Sequence, residues 1–133
     1  LHHTENPKKA FALILGQLKQ NGIIIIGLYH KHSRAKYRLH RFLLHHLVSK
    51  DPDKIIDFVY KINKNIRAPK STLYDRYAVP HESYHTLREV KGWFKENNVS
   101  LLGYKNIKNE KLEIANLIEK KTIFFVSGKK KVI

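Results

Sequence analysis

The first apolar pattern of the chain predicts a helix. Asn6 can cap a helix N-terminus, and Pro7 fits the first helical position, where a backbone N–H has no partner within the helix. Four apolar residues then follow at helical spacing and share one face: Phe11, Ile14, Leu15 and Leu18. Asn21-Gly22 predicts the end of this helix, because glycine commonly follows the last helical residue.

A continuous apolar run, IIIIGL at residues 23–28, follows this helix. Its β-branched residues and its lack of charge predict a strand buried on both faces, as in a parallel sheet covered by helices. A helix that leads directly into such a strand is typical of the second half of a strand–helix–strand unit. We therefore expect a further strand just before Leu1, and residues 1–28 form the first helix and the central strand of the predicted domain.

Residues 29–66 predict a basic helical insertion. Two helices are expected, one within Ser33–Val48 and one opened by Asp51-Pro52, each apolar on one side and basic on the other. The apolar positions are Leu39, Phe42, Leu43 and Leu47 in the first helix, and Ile55, Phe58, Val59 and Ile62 in the second. We interpret four cations as a solvated helix face that could help to hold an anionic substrate: Arg34, Lys36, Arg38 and Arg41. Residues 67–85 predict an ordered loop.

Residues 86–133 predict a helix and a terminal strand pair. Thr86 and Glu89 match a capping box, and the helix buries a stripe formed by Leu87, Val90 and Phe94, with Trp93 beside it. Asn97-Asn98 ends this helix. The segments expected after it are a strand at Val99–Tyr104, a short helix or loop at Glu110–Lys120, a strand at Thr122–Val126 and a solvated tail at Gly128–Lys131.

The chain of 133 residues is strongly basic, with 26 Lys and Arg against 11 Asp and Glu and a net charge of +15. Such an excess of positive charge attracts polyanions. A genome that favours Lys, Ile and Asn explains the excess equally well. There is no cysteine and no apolar run long enough to span a bilayer, so a cytoplasmic protein is the default expectation. No compact set of ligands predicts a metal site, and the oligomeric state is not indicated.

Two segments resemble class I S-adenosylmethionine-dependent methyltransferases. LHHTENPKKAFALILGQLKQNGIIIIGLY, residues 1–29, is similar to the stretch from the end of the family's fourth strand through its fifth. DRYAVPHESYHTLREVKGWFKENNVSLLGY, residues 75–104, is similar to the loop, helix and sixth strand of one bacterial branch. The resemblance implies an α/β fold: the C-terminal part of a Rossmann-like methyltransferase sheet, with its fifth, sixth and seventh strands, the last antiparallel to its neighbours, and a helical insertion.

The resemblance also implies that S-adenosylmethionine is the cofactor and that its main binding motif is absent from this chain. The family's glycine-rich loop and the acidic residue that holds the ribose precede its fourth strand. This sequence contains no GxGxG, and its six glycines are isolated. We therefore expect the chain alone to bind the cofactor weakly or not at all, and to be inactive by itself.

By the same resemblance, the segment after the fourth strand lies against the cofactor, so its cofactor-binding residues are Leu1, His2 and His3. A simple strand-to-helix turn is the alternative for these residues. The expected substrate-binding residues are Tyr29, Arg34, His81 and Tyr84. The expected catalytic residues are His85, Glu82 and His30, because imidazole and carboxylate together can supply and orient a base. Against this, Glu82 could simply pair with Arg76 or Arg88, and His85 could pack beside the helix cap.

These observations predict methyl transfer to an unidentified acceptor, with this chain supplying the substrate-side half of the enzyme. The sulfonium methyl group would pass to an oxygen, nitrogen or carbon nucleophile by in-line displacement. The alternative is a non-enzymatic basic module that binds nucleic acid or another anion, motivated by the +15 charge and the interspersed aromatic residues. A third possibility is an inactive methyltransferase remnant.

Overall fold

The computed structural model describes residues 1–107 and 123–131. Within these ranges the protein is α/β, with five helices and a mixed sheet of four strands. The helices are α1 (Pro7–Gln17), α2 (Ala35–Leu47), α3 (Pro52–Ile62), α4 (Lys70–Tyr77) and α5 (Leu87–Glu96). The strands are β1 (Ile23–His30), β2 (Tyr84–His85), β3 (Val99–Lys105) and β4 (Ile123–Lys130).

The chain divides into two units, each with its own apolar core. The first unit comprises residues 1–34 and 81–133, and the second comprises residues 35–80. The first core joins α1, α5 and one face of the sheet, and its fully buried members include Phe11, Leu28, Leu87, Val90 and Phe124. The second core lies among the helices of residues 35–80 and centres on Ile55, Ile56 and Leu73.

Local signals predicted the helix starts of the first unit correctly. The Asn6 side chain accepts a hydrogen bond from the backbone N–H of Lys9 at 2.9 Å, and Pro7 occupies the first turn of α1. Thr86 and Glu89 form the predicted capping box of α5. The predicted stripe of α5 is buried, and Trp93 lies in the same core at 7% exposure.

The sheet has the order β2-β1-β4-β3. β4 runs antiparallel to β1 along residues 23–29 and antiparallel to β3 on its other side. β2 pairs with β1 in parallel, through Tyr29 with Tyr84 and His30 with His85. The predicted antiparallel last strand is therefore confirmed, and β1 has one parallel and one antiparallel neighbour.

The prediction that β1 is buried on both faces is wrong. Ile24 and Ile26 lie in the core, but Ile23 is 60% exposed and Ile25 is 69% exposed. Helices α1 and α5 cover only one face of the sheet in the described residues, so the side chains of residues 23–26 alternate between surface and core, whereas Tyr29 and His30 at the end of β1 are both buried. An apolar run alone does not show which of its faces another element covers.

The edge of β1 opposite β4 is largely open within residues 1–107 and 123–131. β2 reaches only Tyr29 and His30 on that side. The backbone N–H of Lys130 donates to the carbonyl oxygen of Gly22, so the even-numbered residues of β1 face β4. The odd-numbered residues face the other edge, as the hydrogen bond from the Lys31 N–H to the His85 carbonyl oxygen also indicates.

The expected tail at Gly128–Lys131 is mostly strand, because β4 continues to Lys130. The Lys130 ammonium donates hydrogen bonds to the carbonyl oxygens of Leu15 and Leu18, at 2.8 Å each. These carbonyls lie at the C-terminal end of α1, where the Leu15 oxygen also accepts a hydrogen bond from the Leu18 N–H at 3.2 Å. The basic side chain therefore stabilises the helix C-terminus. The predicted segment Glu110–Lys120 lies outside the described residues.

The turn between α1 and β1 differs from the prediction in its details. Asn21, not Gly22, adopts the left-handed conformation, with a φ of 61°. α1 ends at Gln17, and Ile14, expected on its buried face, is 45% exposed. Gly22 is needed for a different reason, because a Cβ there would lie 2.6 Å from the Leu18 side chain.

The second unit contains three helices instead of two helices and a loop. Asp51 caps α3 as expected, and its side chain accepts a hydrogen bond from the Asp53 N–H. The loop expected over residues 67–85 is wrong, because this segment contains α4 and β2. The insertion also begins after Tyr29 and His30, which belong to β1.

Candidate functional site

The first unit gathers polar and aromatic side chains where β1 ends. Tyr29 and His30 are its last residues, and parallel pairing brings Tyr84 and His85 of β2 beside them. The carboxyl ends of parallel strands meet at one edge of a sheet, so the side chains that follow both strands lie close together. The ring centres of Tyr29 and Tyr84 are 6.4 Å apart. We define the β1-end cluster by the residues Leu1–His3, Tyr29, His30, Arg34 and His81–His85.

A buried ion pair lies at the centre of the β1-end cluster. The guanidinium of Arg34 pairs with the Glu82 carboxylate, and these side chains are 4% and 2% exposed. The same guanidinium lies 3.8 Å from the centre of the Tyr29 ring, and the Tyr84 hydroxyl donates to Glu82 at 2.5 Å. The interpretation of Arg34 as part of a solvated helix face is therefore wrong, because the residue precedes α2 and its charge is compensated within the first unit.

His85 lies between a hydroxyl and a carboxylate. Its Nε2 is 3.0 Å from Ser83 Oγ, and its Nδ1 is 3.6 Å from a carboxylate oxygen of Glu89. The edge of its ring also packs against Trp93, with ring centres 4.8 Å apart. Burial lowers the pKa of the His85 imidazole, and the opposing attraction of Glu89 does not cancel this effect. The ring is therefore neutral at pH 7 and able to accept a proton.

The first residues of the chain contact the cluster from one side. The ring centre of His2 is 3.9 Å from that of Tyr29, and the His2 carbonyl oxygen accepts a hydrogen bond from the Ser83 N–H at 2.9 Å. The His3 ring contacts Tyr29 edge-on, and its Nδ1 lies 3.3 Å from the His81 carbonyl oxygen. Leu1 packs against the core of the first unit. Imidazole and phenol rings thus line one surface of the cluster.

His30 and His81 occupy opposite environments within the cluster. His30 is 1% exposed, packs edge-on against Phe124, and its Nδ1 accepts hydrogen bonds from the backbone N–H groups of His32 and Ser33. This geometry stabilises the turn after β1 and directs no ring nitrogen to the surface. The His81 side chain is exposed and therefore accessible to a ligand.

All ten residues expected at the site lie in the first unit, around the end of β1. Sequence reasoning missed two neighbours of His85, namely Ser83 and Glu89. Ser83 immediately precedes β2, two residues before His85, and Glu89 lies four residues after His85 in the first turn of α5. A spacing of two residues along extended backbone brings side chains to the same side, so it was the available signal for Ser83. Glu82 pairs with Arg34, a partner that sequence reasoning did not consider for it.

Two structural observations concern metal binding and membrane insertion. Within residues 1–107 and 123–131, no group of three or more His, Asp or Glu side chains is arranged to hold a metal ion. None of the described helices has the length and apolar character needed to cross a bilayer.

No protein-family model matches the chain, and no curated protein matches it at a significant level.

Proposed function

We propose that the chain forms the substrate-side portion of a class I S-adenosylmethionine-dependent methyltransferase. The observation that carries the proposal is the position of β4, an antiparallel last strand between β1 and β3. The sequence resemblance implies a seventh strand that is antiparallel to its neighbours. In the proposal, β1, β3 and β4 are the fifth, sixth and seventh strands of a Rossmann-like sheet.

The open edge of β1 supports this proposal. The family's fourth strand would pair along residues 23–28, where the described part of the chain supplies no paired strand; the His2 side chain reaches this edge, with its Nδ1 3.3 Å from the Gly27 carbonyl oxygen. The exposed side chains of Ile23 and Ile25 lie on the uncovered face of the same strand. Such apolar side chains are expected where further elements of a larger sheet would cover them.

The β1-end cluster fits one side of the proposed cofactor. S-adenosylmethionine, when bound, supplies an electrophilic methyl group. The rings of His2 and His3, which pack on the buried Tyr29, can contact part of such a ligand. The chain contains neither a glycine-rich loop nor the acidic residue expected for the ribose, so in the proposal these groups lie outside residues 1–133.

The polar groups of the cluster suit the substrate side of a methyl transfer. His85 is proposed as the base that removes a proton from the acceptor nucleophile. Ser83 Oγ lies 3.0 Å from Nε2 and donates to the His2 carbonyl oxygen at 3.3 Å, so in the proposal this hydroxyl turns from His2 to pass the proton to the imidazole, while Glu89 orients the ring from its Nδ1 side. Arg34 and Tyr84 fix the Glu82 carboxylate, and the exposed His81 can contact polar groups of the acceptor. The main contribution of these residues is to hold the acceptor at attack distance.

A titration with S-adenosylhomocysteine followed by amide NMR tests this proposal. We expect weak binding, with a Kd on the order of 1 mM, because the main cofactor motif lies outside the chain. The shifted amides should be those of His2, His3, Tyr29 and Tyr84. His3→Ala should weaken binding, whereas His46→Ala, an exposed histidine of the second unit, should leave it unchanged.

The same titration distinguishes the alternatives. If the amides of the β1-end cluster do not shift at about 5 mM ligand, several times the expected Kd, the proposal that this cluster by itself contacts the cofactor is contradicted. Tight stoichiometric binding would contradict the assignment of the main cofactor motif to residues outside the chain. Salt-sensitive shifts with an RNA oligonucleotide, and none with S-adenosylhomocysteine, would favour the basic binding module. An inactive remnant would show neither response.

A further inference from the structure

Helix α2 of the second unit carries an exposed apolar stripe. Leu39 is 58% exposed, Phe42 57%, Leu43 41% and Leu47 78%, and α2 has no buried residue. With 3.6 residues per turn, these four side chains occupy about 140° of the helix circumference. We call these four residues the α2 stripe. In the same projection the exposed Lys36 lies between Leu43 and Leu47, and the exposed His46 lies between Leu39 and Phe42 and packs on the Phe42 ring. An exposed and largely apolar surface of this kind indicates contact with another apolar phase or molecule.

Basic residues accompany the α2 stripe. α2 contains no acidic residue, and the exposed Lys36 and Arg38 lie in its first turn. In projection Arg38 lies about 40° from Phe42, and the exposed His40 lies about 20° from Leu47 on the opposite border. Residues 35–80 carry ten Lys and Arg against four Asp, and these four aspartates lie outside α2. The charge around the stripe is therefore positive.

We infer that α2 binds the surface of an anionic lipid bilayer. An amphipathic helix with an apolar face and basic borders lies in the plane of the interface, with its apolar side chains below the headgroups. The thirteen residues of α2 extend only about 20 Å, which suits this orientation. Lys36 and Arg38 would contact anionic headgroups, where basic residues near the surface strengthen adsorption. This inference is independent of the proposed methyl transfer.

The chemistry of the stripe favours lipid over nucleic acid. Three of its four residues are leucines, whose aliphatic side chains offer no flat face on which a base could stack. A nucleic-acid surface would use the cations but would leave these leucines exposed to water. Acyl chains accept both the leucines and Phe42, while the headgroups accept the cations.

Vesicle co-sedimentation tests the inference with substitutions that preserve charge. The full chain should partition onto phosphatidylcholine vesicles that contain about one-quarter phosphatidylserine, and bind pure phosphatidylcholine at least about tenfold more weakly. The double substitution Leu39→Gln and Phe42→Gln should reduce partition by at least about tenfold, because it removes apolar insertion and leaves every charge in place. The matched control is Leu13→Gln, since Leu13 is a 65% exposed leucine of the first unit, and it should bind as the native chain does.

A fluorescence measurement adds a second, independent readout. In Phe42→Trp the new indole should shift its emission to shorter wavelength on the acidic vesicles, whereas Trp93 is already buried at 7% exposure. No partition of the native chain, or equal partition of the native chain and the double variant, would overturn the inference. It would also be overturned if the double substitution weakened binding of an RNA oligonucleotide or an acidic peptide while the vesicles failed to bind.

Discussion

The guanidinium of Arg34 lies 3.8 Å from the centre of the Tyr29 ring, so a residue of the turn after β1 covers the face of a strand side chain. The same guanidinium pairs with Glu82, which lies just before β2. This contact joins two segments that are far apart in sequence and close at the end of β1. Arg34 therefore organises the β1-end cluster, and it is not exposed for direct contact with a ligand.

Removal of Arg34 should destabilise the fold strongly. Arg34→Met leaves the Glu82 carboxylate buried without its counter-charge, so we expect the free energy of unfolding to fall by about 3–5 kcal/mol. Urea unfolding measures this change. The control is Lys8→Met, because Lys8 pairs with Glu96 at the surface with both side chains at least half exposed; it should cost at most about 1 kcal/mol. Equal effects of the two substitutions would contradict the burial of the Arg34–Glu82 pair.

The stability of the protein should depend on pH through His85. Burial lowers the pKa of the folded-state imidazole below its ordinary value of 6.5, so the unfolded chain binds more protons in the range between these two values. The free energy of unfolding should therefore decrease as the pH falls below 6.5, and this contribution should level off below the folded-state pKa. His85→Gln should remove it. Glu89→Gln should lower the imidazole pKa further, as histidine NMR titration would show; a higher pKa would contradict the contact.

Gly128 should not tolerate a side chain. A Cβ at this position would lie 2.5 Å from the Phe94 ring and 2.6 Å from the Val99 side chain, both in the core. Gly128→Ala should therefore lower the free energy of unfolding by about 1–3 kcal/mol, measured by urea unfolding. Gly92 is the matched control, because a Cβ there meets nothing within 4 Å in α5. Gly92→Ala should instead stabilise the helix by about 0.5–1 kcal/mol. If Gly92→Ala destabilises the protein and Gly128→Ala does not, the conclusion that only Gly128 lacks space for a side chain is contradicted.

Lys130 should contribute to stability although it belongs to a basic cluster near the end of the sequence. Lys130→Met removes two hydrogen bonds to the carbonyl oxygens at the end of α1, so we expect a loss of about 1.5–3 kcal/mol in thermal or urea unfolding. The neighbouring Lys129 is exposed, and Lys129→Met should change stability by less than about 0.5 kcal/mol. If the two substitutions change the free energy of unfolding equally, the hydrogen bonds of Lys130 do not stabilise the protein, and both lysines behave as the solvated residues that the sequence predicted.

The sequence predicted features that depend on neighbouring residues. The caps at Asn6, Asp51 and Thr86 were correct because a cap is completed within three residues of the same segment. The last strand and its antiparallel direction were also expected, through the resemblance.

Features that depend on distant residues were not predicted. Arg34 is 48 residues from Glu82, and Lys130 is 115 residues from Leu15, so no local pattern indicates either contact. The exposure of Ile25 has the same cause, since burial of a strand face requires an element from elsewhere in the fold. α4 was not predicted because Pro69 indicated a loop, whereas this residue occupies the N-cap position of the helix without a side-chain capping hydrogen bond.

Amide hydrogen exchange along β1 tests most directly whether this strand has an open edge that a further strand could pair with. The N–H groups of Ile24 and Ile26 face β4, whereas those of Ile23 and Ile25 face the opposite edge. We predict that Ile24 and Ile26 exchange at least about 100-fold more slowly than Ile23 and Ile25. Equal protection of Ile25 and Ile26 would show that the edge is already occupied, and would contradict the proposal that a strand of a larger methyltransferase sheet pairs there.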